Sequence, residues 1–420
     1  MKLTLTFITA LFAATTLASP APKSTKKVTY DGHKVLRLTI DDTASQAAHV
    51  SQLVEDLNLD VWTHGAIKPS HTVDIAIDAD KLDRFYKKLG KVQYEVMYED
   101  LGEAVRKETI AAADQSWFNA YHSYTEHIVY LNDLVKKFPA NSKIVTAGTS
   151  YEGRAITGIH IFGSSGGGKK PAAIFHGTVH AREWITTMVS EYTAYSLLNN
   201  YANSTEVRGY VDKYDFYIFP VVNPDGFVYT QTTSRLWRKN RQPGQSCVGT
   251  DINRNWASNW AVSGGASTDP CNETYKGASA GSTPEYKGLS AFNNAKQQSQ
   301  GVKFFMDYHA YSQLWMSPYG YSCTAVAADQ TEHNRISRGA VAAIKAVYGT
   351  TFEYGPICTT IYKATGSSVD YTYDVTKVKY SYTAELRDKG ASGFLLPANQ
   401  IRPTSEEMWA GIKYVLGAMV

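Results

Sequence analysis

Hydrophobic positions alternate along Val35-Leu36-Arg37-Leu38-Thr39-Ile40 and again along Thr72-Val73-Asp74-Ile75-Ala76-Ile77. That two-residue period predicts half-buried strands. Between them, residues 43–57 have helical spacing and residues 59–63 read as a short strand. Asp78 is placed to cap a helix over 80–89, and a last strand spans 93–98. The order β-α-β-β-α-β predicts a small open sandwich of the ferredoxin-like kind. Residues 100–115 are polar and small, with Arg106-Lys107 and Ala111-Ala112-Ala113 among them. They read as an exposed connecting segment open to proteolysis.

From Trp117 the pattern changes to alternating strands and helices. Short apolar runs at 143–147, 156–162, 172–175, 216–219, 302–308 and 380–385 predict strands. Helical periodicity covers 125–138, 184–198, 284–298, 332–348 and 405–416. Such alternation predicts a layered α/β fold. No internal repeat is present. Gly163 to Lys170 forms a Gly/Ser-rich loop, but no G-K-S/T and helix follow it, which argues against a phosphate loop.

The 420 residues, 43% of them hydrophobic, suffice for more than one folded unit. A net charge of +3 leaves no electrostatic footprint for nucleic acid. At the N-terminus, Lys2, an apolar run from Leu3 to Leu17 and Ala18 before Ser19-Pro20 predict a secretory signal peptide over 1–18. No later stretch is long and apolar enough to span a bilayer, so the expectation is a secreted, extracellular, soluble protein with no membrane partner. Cys247, Cys271, Cys323 and Cys358 suit an oxidising compartment. They allow three pairings, of which Cys247–Cys271 with Cys323–Cys358 is the simplest; no C-x-x-C supports a cysteine zinc site. Asn203-Ser204-Thr205 and Asn272-Glu273-Thr274 are glycosylation sequons.

The chemistry concentrates at His180-Ala181-Arg182-Glu183, between a predicted strand and a predicted helix. A strand-to-helix junction is where open α/β sheets usually hold their sites. His180 and Glu183, three apart, fit on one turn, and His309 ends a neighbouring predicted strand. Two His and one Glu give a tetrahedral Zn2+ three ligands and one open position, the pattern of a catalytic site.

More residues then fall into a family order. His180-Ala181-Arg182-Glu183-Trp184, Asn223-Pro224-Asp225-Gly226, residues 235–239, Asp251 to Trp256, His309 to Gln313, residues 318–320, Thr360-Ile361-Tyr362, Ala384 to Asp388 and Gly393 to Pro397 together resemble the secreted zinc metallocarboxypeptidases of the pancreatic A/B type. The resemblance covers the second unit and, more loosely, the first as an activation propeptide. It implies a signal peptide (1–18), a propeptide with connecting segment (19–112) and a catalytic domain (113–420). The implied catalytic fold is a three-layer α/β/α domain around a mixed, mostly eight-stranded twisted sheet. The implied activity is removal of single C-terminal residues from peptides and proteins by one Zn2+. The implied product is a zymogen, with the propeptide as intramolecular inhibitor, an activating endoprotease as partner, and a monomeric state.

Role by role, the resemblance implies His180, Glu183 and His309 as zinc ligands, Glu385 as general base and Arg238 as oxyanion support. Asp251 stands behind His180 as an acceptor for its far nitrogen. Asn253 and Arg254 match a clamp for the terminal carboxylate, which suits a planar guanidinium. Tyr362 matches a tyrosine that closes over substrate; Arg182, Tyr311 and Phe394 match secondary contacts. Arg235, in the same basic run as Arg238, Lys239 and Arg241, reads as an ordinary solvated arginine. The plainer reading of Glu385 is a strand-end carboxylate paired with Arg387.

At the floor of the specificity pocket, where basic-specific relatives carry an acid, this chain has Val369. Met316, Gly320, Ile357, Ile361, Ala364 and Thr383 match its walls. The implied preference is A-like, for aromatic or large aliphatic C-termini. Asp370, one position off, is expected to point away. The competing readings are broader or basic specificity, a two-metal aminopeptidase, and a non-catalytic peptide-binding relative. The aminopeptidase needs further bridging carboxylates and no C-terminal clamp.

Overall fold

The computed structural model describes residues 27–63, 65–108 and 117–420. The predicted signal peptide and most of the stretch between the two units lie outside the described residues. The first unit runs β1 (Lys34–Thr39), α1 (Ala44–Leu57), β2 (Asp60–Val61), β3 (Thr72–Ile77), α2 (Leu82–Leu89), β4 (Gln93–Tyr98) and α3 (Leu101–Glu108). Its four strands order β2-β3-β1-β4, all antiparallel, the predicted open sandwich. Leu36, Leu38, Val50, Leu53, Ile75 and Phe85 fill the space between sheet and helices.

One expectation fails here. Residues 101–108 are helix, not exposed linker. Leu101, Val105 and Glu108 recur at four and three residues, so a polar composition hides one inward face. Leu101 and Glu108 are buried and Val105 is half-buried. Residues 109–116 of the predicted cuttable segment lie outside the described residues.

The second unit comprises α4 (Tyr124–Lys137), β5 (Ser142–Thr149), β6 (Ala155–Ile161), β7 (Ala172–His176), α5 (Trp184–Asn200), α6 (Thr205–Lys213), β8 (Asp215–Phe219) and α7 (Pro224–Thr232). It continues through α8 (Pro284–Gln300), β9 (Val302–Ala310), β10 (Leu314–Ser317), α9 (Gln330–Tyr348), β11 (Glu353–Pro356), α10 (Ile357–Thr360), α11 (Ser368–Asp374), β12 (Tyr380–Leu386) and α12 (Ile401–Ala418). The eight strands order β11-β10-β12-β9-β7-β8-β6-β5. The inner run β12-β9-β7-β8 is parallel, and the flanking pairs β10/β12 and β6/β8 are antiparallel.

The inner strands are buried on both faces, which is why they read as near-continuous apolar runs. Helices α5, α9 and α12 cover one face around Met188, Leu197, Ile344 and Ile412. On the other face, residues from α8 and α11 pack with Trp256, Phe305 and Met316. The parallel run ends its strands on one edge, at His176, Phe219, Ala310 and Leu386, and the chemistry gathers there. Cys247–Cys271 and Cys323–Cys358 are bonded. Among the described residues no helix is long and apolar enough to cross a membrane.

Candidate active site

Three carboxyl ends of secondary structure meet at one point. After β7 the chain turns through Gly177-Thr178-Val179 to His180, and Glu183 occupies the cap position of α5. His309 is the penultimate residue of β9 and Glu385 the penultimate residue of β12. The two strands are parallel and in register, Glu385 opposite His309, so both side chains leave the same face of the sheet.

The donor atoms converge. His180 Nδ1 lies 2.9 Å from Glu183 Oε1, and His309 Nδ1 lies 3.4 Å from Glu183 Oε2. The two Nδ1 atoms stand 3.1 Å apart. All three ligand atoms fall within 4.8 Å of one another, in a buried setting. Burial works against ionisation of Glu183, but His180 and His309 outweigh it and hold its pKa well below the ordinary range. Two imidazoles and an ionised carboxylate are the donor set zinc prefers. The residues therefore fit the ion the resemblance implies.

A shell of fixed charges surrounds them. His180 Nε2 is 3.1 Å from Asp251 Oδ1, the acceptor expected from sequence. Arg238, wholly buried, donates to Asp251 Oδ2 through Nη2 at 2.8 Å. Burial disfavours the Asp251 carboxylate, yet Arg238, His180 and Arg254 keep its pKa well below the usual carboxylate range. Glu385 is buried, and its Oε2 makes no hydrogen bond with any described residue. Burial first, then the Glu183 and Asp307 carboxylates, push its pKa up to about 8 against the pull of His309 and Arg238. Arg387 does not pair with it: that guanidinium donates to Glu407 at 2.7 Å, Gln400 and Thr350.

Arg254 points into the same cleft. Its Nε donates to Gly265 O at 2.9 Å, Nη1 to Asn253 O at 3.0 Å and Nη2 to Tyr362 Oη at 3.2 Å. Behind them, Met316, Ile357, Ala364 and Val369 share one buried cluster, with Ile361 and Tyr362 packed against it. Thr383 is buried and donates its hydroxyl to Asp307 O at 2.8 Å. Asp370 is also buried. Its carboxylate accepts from Gly320 N–H at 3.0 and 3.1 Å and Tyr321 N–H at 3.0 Å, and burial pushes its pKa up to about 7.

The first unit sits on this cleft. Asp60 Oδ1 lies 3.5 Å from Arg182 Nη1. The Trp62 ring packs on Phe394 at 5.3 Å between centroids. Tyr311 Oη donates to Asp74 Oδ2 at 2.6 Å. At Gly65, with φ of +100°, an added Cβ would fall 2.7 Å from Tyr362 Cβ; only glycine lets this loop pass so close. Arg235 corrects its sequence reading: it is 4% exposed, stacks on Trp184 at 3.6 Å and pairs with Glu108 through Nε at 2.5 Å and Nη2 at 2.6 Å. Charge density in the basic run suggested solvent, whereas the partner acid lies 127 residues upstream and carries no local signal.

Comparison with known proteins agrees with this geometry. Residues 127–411 match the family described as zinc carboxypeptidase, and residues 36–108 match the carboxypeptidase activation peptide. A metallocarboxypeptidase A of Trichophyton rubrum is 46% identical over 400 residues, covering 93% of this chain and 94% of the relative. Carboxypeptidase A1 of Sus scrofa is 37% identical over 405 residues, with 93% and 94% covered. The solved carboxypeptidase A of Helicoverpa armigera superposes with a TM-score of 0.81 at 29% identity, covering 93% of this chain and 98% of that one. Thrombin activatable fibrinolysis inhibitor gives 0.85 at 30%, covering 92% and 99%. The chain belongs to the zinc carboxypeptidase family: it is a zinc-dependent metallocarboxypeptidase, a peptide hydrolase carrying an activation peptide.

Proposed function

With that membership as premise, we propose that the enzyme removes aromatic or large aliphatic residues, one at a time, from peptide C-termini, and that it is made as a secreted zymogen. The observation that carries the reading is the convergence of His180 Nδ1, His309 Nδ1 and Glu183 beside the in-register Glu385. His180, Glu183 and His309 hold the zinc. When bound, zinc supplies Lewis acidity toward the scissile carbonyl and the attacking water.

This chain's own residues do the rest. Arg254, with Asn253 beside it, pairs the terminal carboxylate, exchanging its Tyr362 contact for substrate. Tyr362 then covers the bound residue. Arg238, held by Asp251, points a fixed positive charge at the carbonyl oxygen as negative charge develops there. A cation held by His180, Glu183 and His309 would offset the burial and the carboxylates that raise the Glu385 pKa and favour its ionised form. Glu385 then takes a proton from the attacking water and delivers it to the leaving amine. Arg182, Tyr311 and Phe394 contact residues further along the peptide. The test is release of single C-terminal residues by the matured protein, abolished by a chelator and restored by zinc. Activity that survives exhaustive chelation would refute it.

The carboxylate clamp makes a separate claim. Arg254→Ala should raise KM for peptides with a free C-terminal acid far more than it lowers kcat. In the wild type, amidated peptides should be poor substrates. Equal rates on the amide and the free acid would remove Arg254 from this role.

The zymogen reading rests on the first unit's seat on Arg182, Phe394, Tyr311 and Tyr362, which closes the cleft to long substrates. Because α3 is packed through Glu108, cleavage is expected in residues 109–116. Proteolysis there should release a stable C-terminal fragment whose rate on a large peptide exceeds that of the uncut chain. Equal rates before and after would make the first unit a folding aid only. Secretion follows from the predicted signal peptide, and both sequon asparagines, Asn203 and Asn272, are exposed, as glycosylation requires.

A further inference from the structure

A histidine that binds metal through one ring nitrogen still has the other to satisfy, and its partner there decides tautomer and orientation. For His180 that partner is Asp251. For His309 the choice lies between two neighbours of Nε2: Asn253 Nδ2 at 3.2 Å and Asp307 Oδ2 at 3.3 Å.

Proton bookkeeping decides between them. Asn253 Oδ1 accepts Ser368 N–H at 2.9 Å, so the amide turns its NH2 toward the ring. His309 Nδ1 faces Glu183 and His180. A neutral imidazole with its Nδ1 lone pair on a cation carries its single proton on Nε2. Two N–H groups cannot bond each other, so the acceptor is Asp307. The aspartate is built in: it is 1% exposed, and Ser368 Oγ donates to Oδ2 at 2.5 Å. Its Oδ1 is buried and makes no hydrogen bond with any described residue. Two residues before His309 on β9, Asp307 projects from the same face, with Thr383 opposite it on β12.

We propose that Asp307 is the positioning residue of His309: it accepts Nε2–H, fixes the tautomer that presents Nδ1 to zinc, and so tightens zinc binding as Asp251 does from the other side. This rests on the reading of His309 as a ligand.

The test measures zinc dissociation constants of the full chain by competition with a chromophoric chelator. Asp307→Leu, which removes both the acceptor and the charge, should weaken zinc by ~10- to 100-fold. Asp307→Asn, which keeps an acceptor oxygen without the charge, should fall between Leu and wild type. A purely packing role predicts instead that the isosteric Asn variant keeps wild-type zinc affinity. Should the Leu protein fail to fold, the Asn variant alone must still weaken zinc. Wild-type affinity in the folded variants, together with zinc loss in His309→Ala, would overturn the role of Asp307 and leave the ligand set standing. Wild-type affinity in His309→Ala would overturn both.

Discussion

Glu385→Ala should abolish nearly all turnover while zinc content and peptide binding survive. The side chain sits at the carboxyl end of β12, opposite His309 and buried, with Oε2 bonded to no described residue. Among the described residues no hydrogen bond to Oε2 exists whose loss would explain a defect. Arg387, the obvious neighbour in sequence, is held by Glu407. Removal of a general acid–base group typically costs ~100- to 10,000-fold in rate. Because the same carboxylate both receives and returns the proton, the loss should reach the upper part of that range. It should appear in kcat, with KM changed little, since Arg254 and Arg238 are untouched. Metal analysis of the variant should match the wild type. A loss under tenfold would assign the base elsewhere.

Why this site was legible follows from where its residues lie. The inner strands β7, β9 and β12 are buried on both faces, so each appears as an apolar run whose polar terminus stands out: His309 after Tyr308, Glu385 after Ala384. Long helices such as α9 and α12 keep a clear period. The elements not foreseen lack such signals. Helix α7 begins with Pro224-Asp225-Gly226, letters of a turn. Yet Pro sits at the first helical position and Asn223 Oδ1 accepts Gly226 N–H at 3.1 Å, so the same letters start a helix. Strands β10 and β11 have four residues each, and β11 contains Gly355 and Pro356. They exist because neighbouring strands supply partners.

Charges within those patterns were harder. Asp307 looks like a defect in an apolar strand until its alternation with His309 is considered. Arg235 and Glu108 are paired only by the packing of one unit on the other. Helix α3 reads as linker for the same reason: its buried Glu108 finds its partner, Arg235, in the second unit.

The wild-type enzyme should prefer C-terminal Phe, Tyr, Trp or Leu over Lys and Arg by at least ~100-fold in kcat/KM. Val369 is 1% exposed, in one apolar cluster with Met316, Ile357 and Ala364. An aromatic ring entering there removes apolar area from water on both sides. A Lys or Arg head group must instead be desolvated, and a buried cation without a partner costs several kcal/mol. Each ~1.4 kcal/mol is a factor of ten. The acid beside the Gly320 wall is Asp370, which an added Cβ at Gly320 would approach to 3.5 Å. Its oxygens are already engaged by Gly320 and Tyr321 N–H, and with a pKa pushed up to about 7 by burial it is only partly ionised at neutral pH. It is therefore a weak counter-ion for a substrate cation. Val369→Asp should supply a better-placed one and move preference toward Lys and Arg, measured on matched Phe- and Arg-ending peptides. Comparable wild-type rates on the two peptides would overturn the pocket reading, and Asp370→Asn would then show whether that carboxylate is the one receiving the cation.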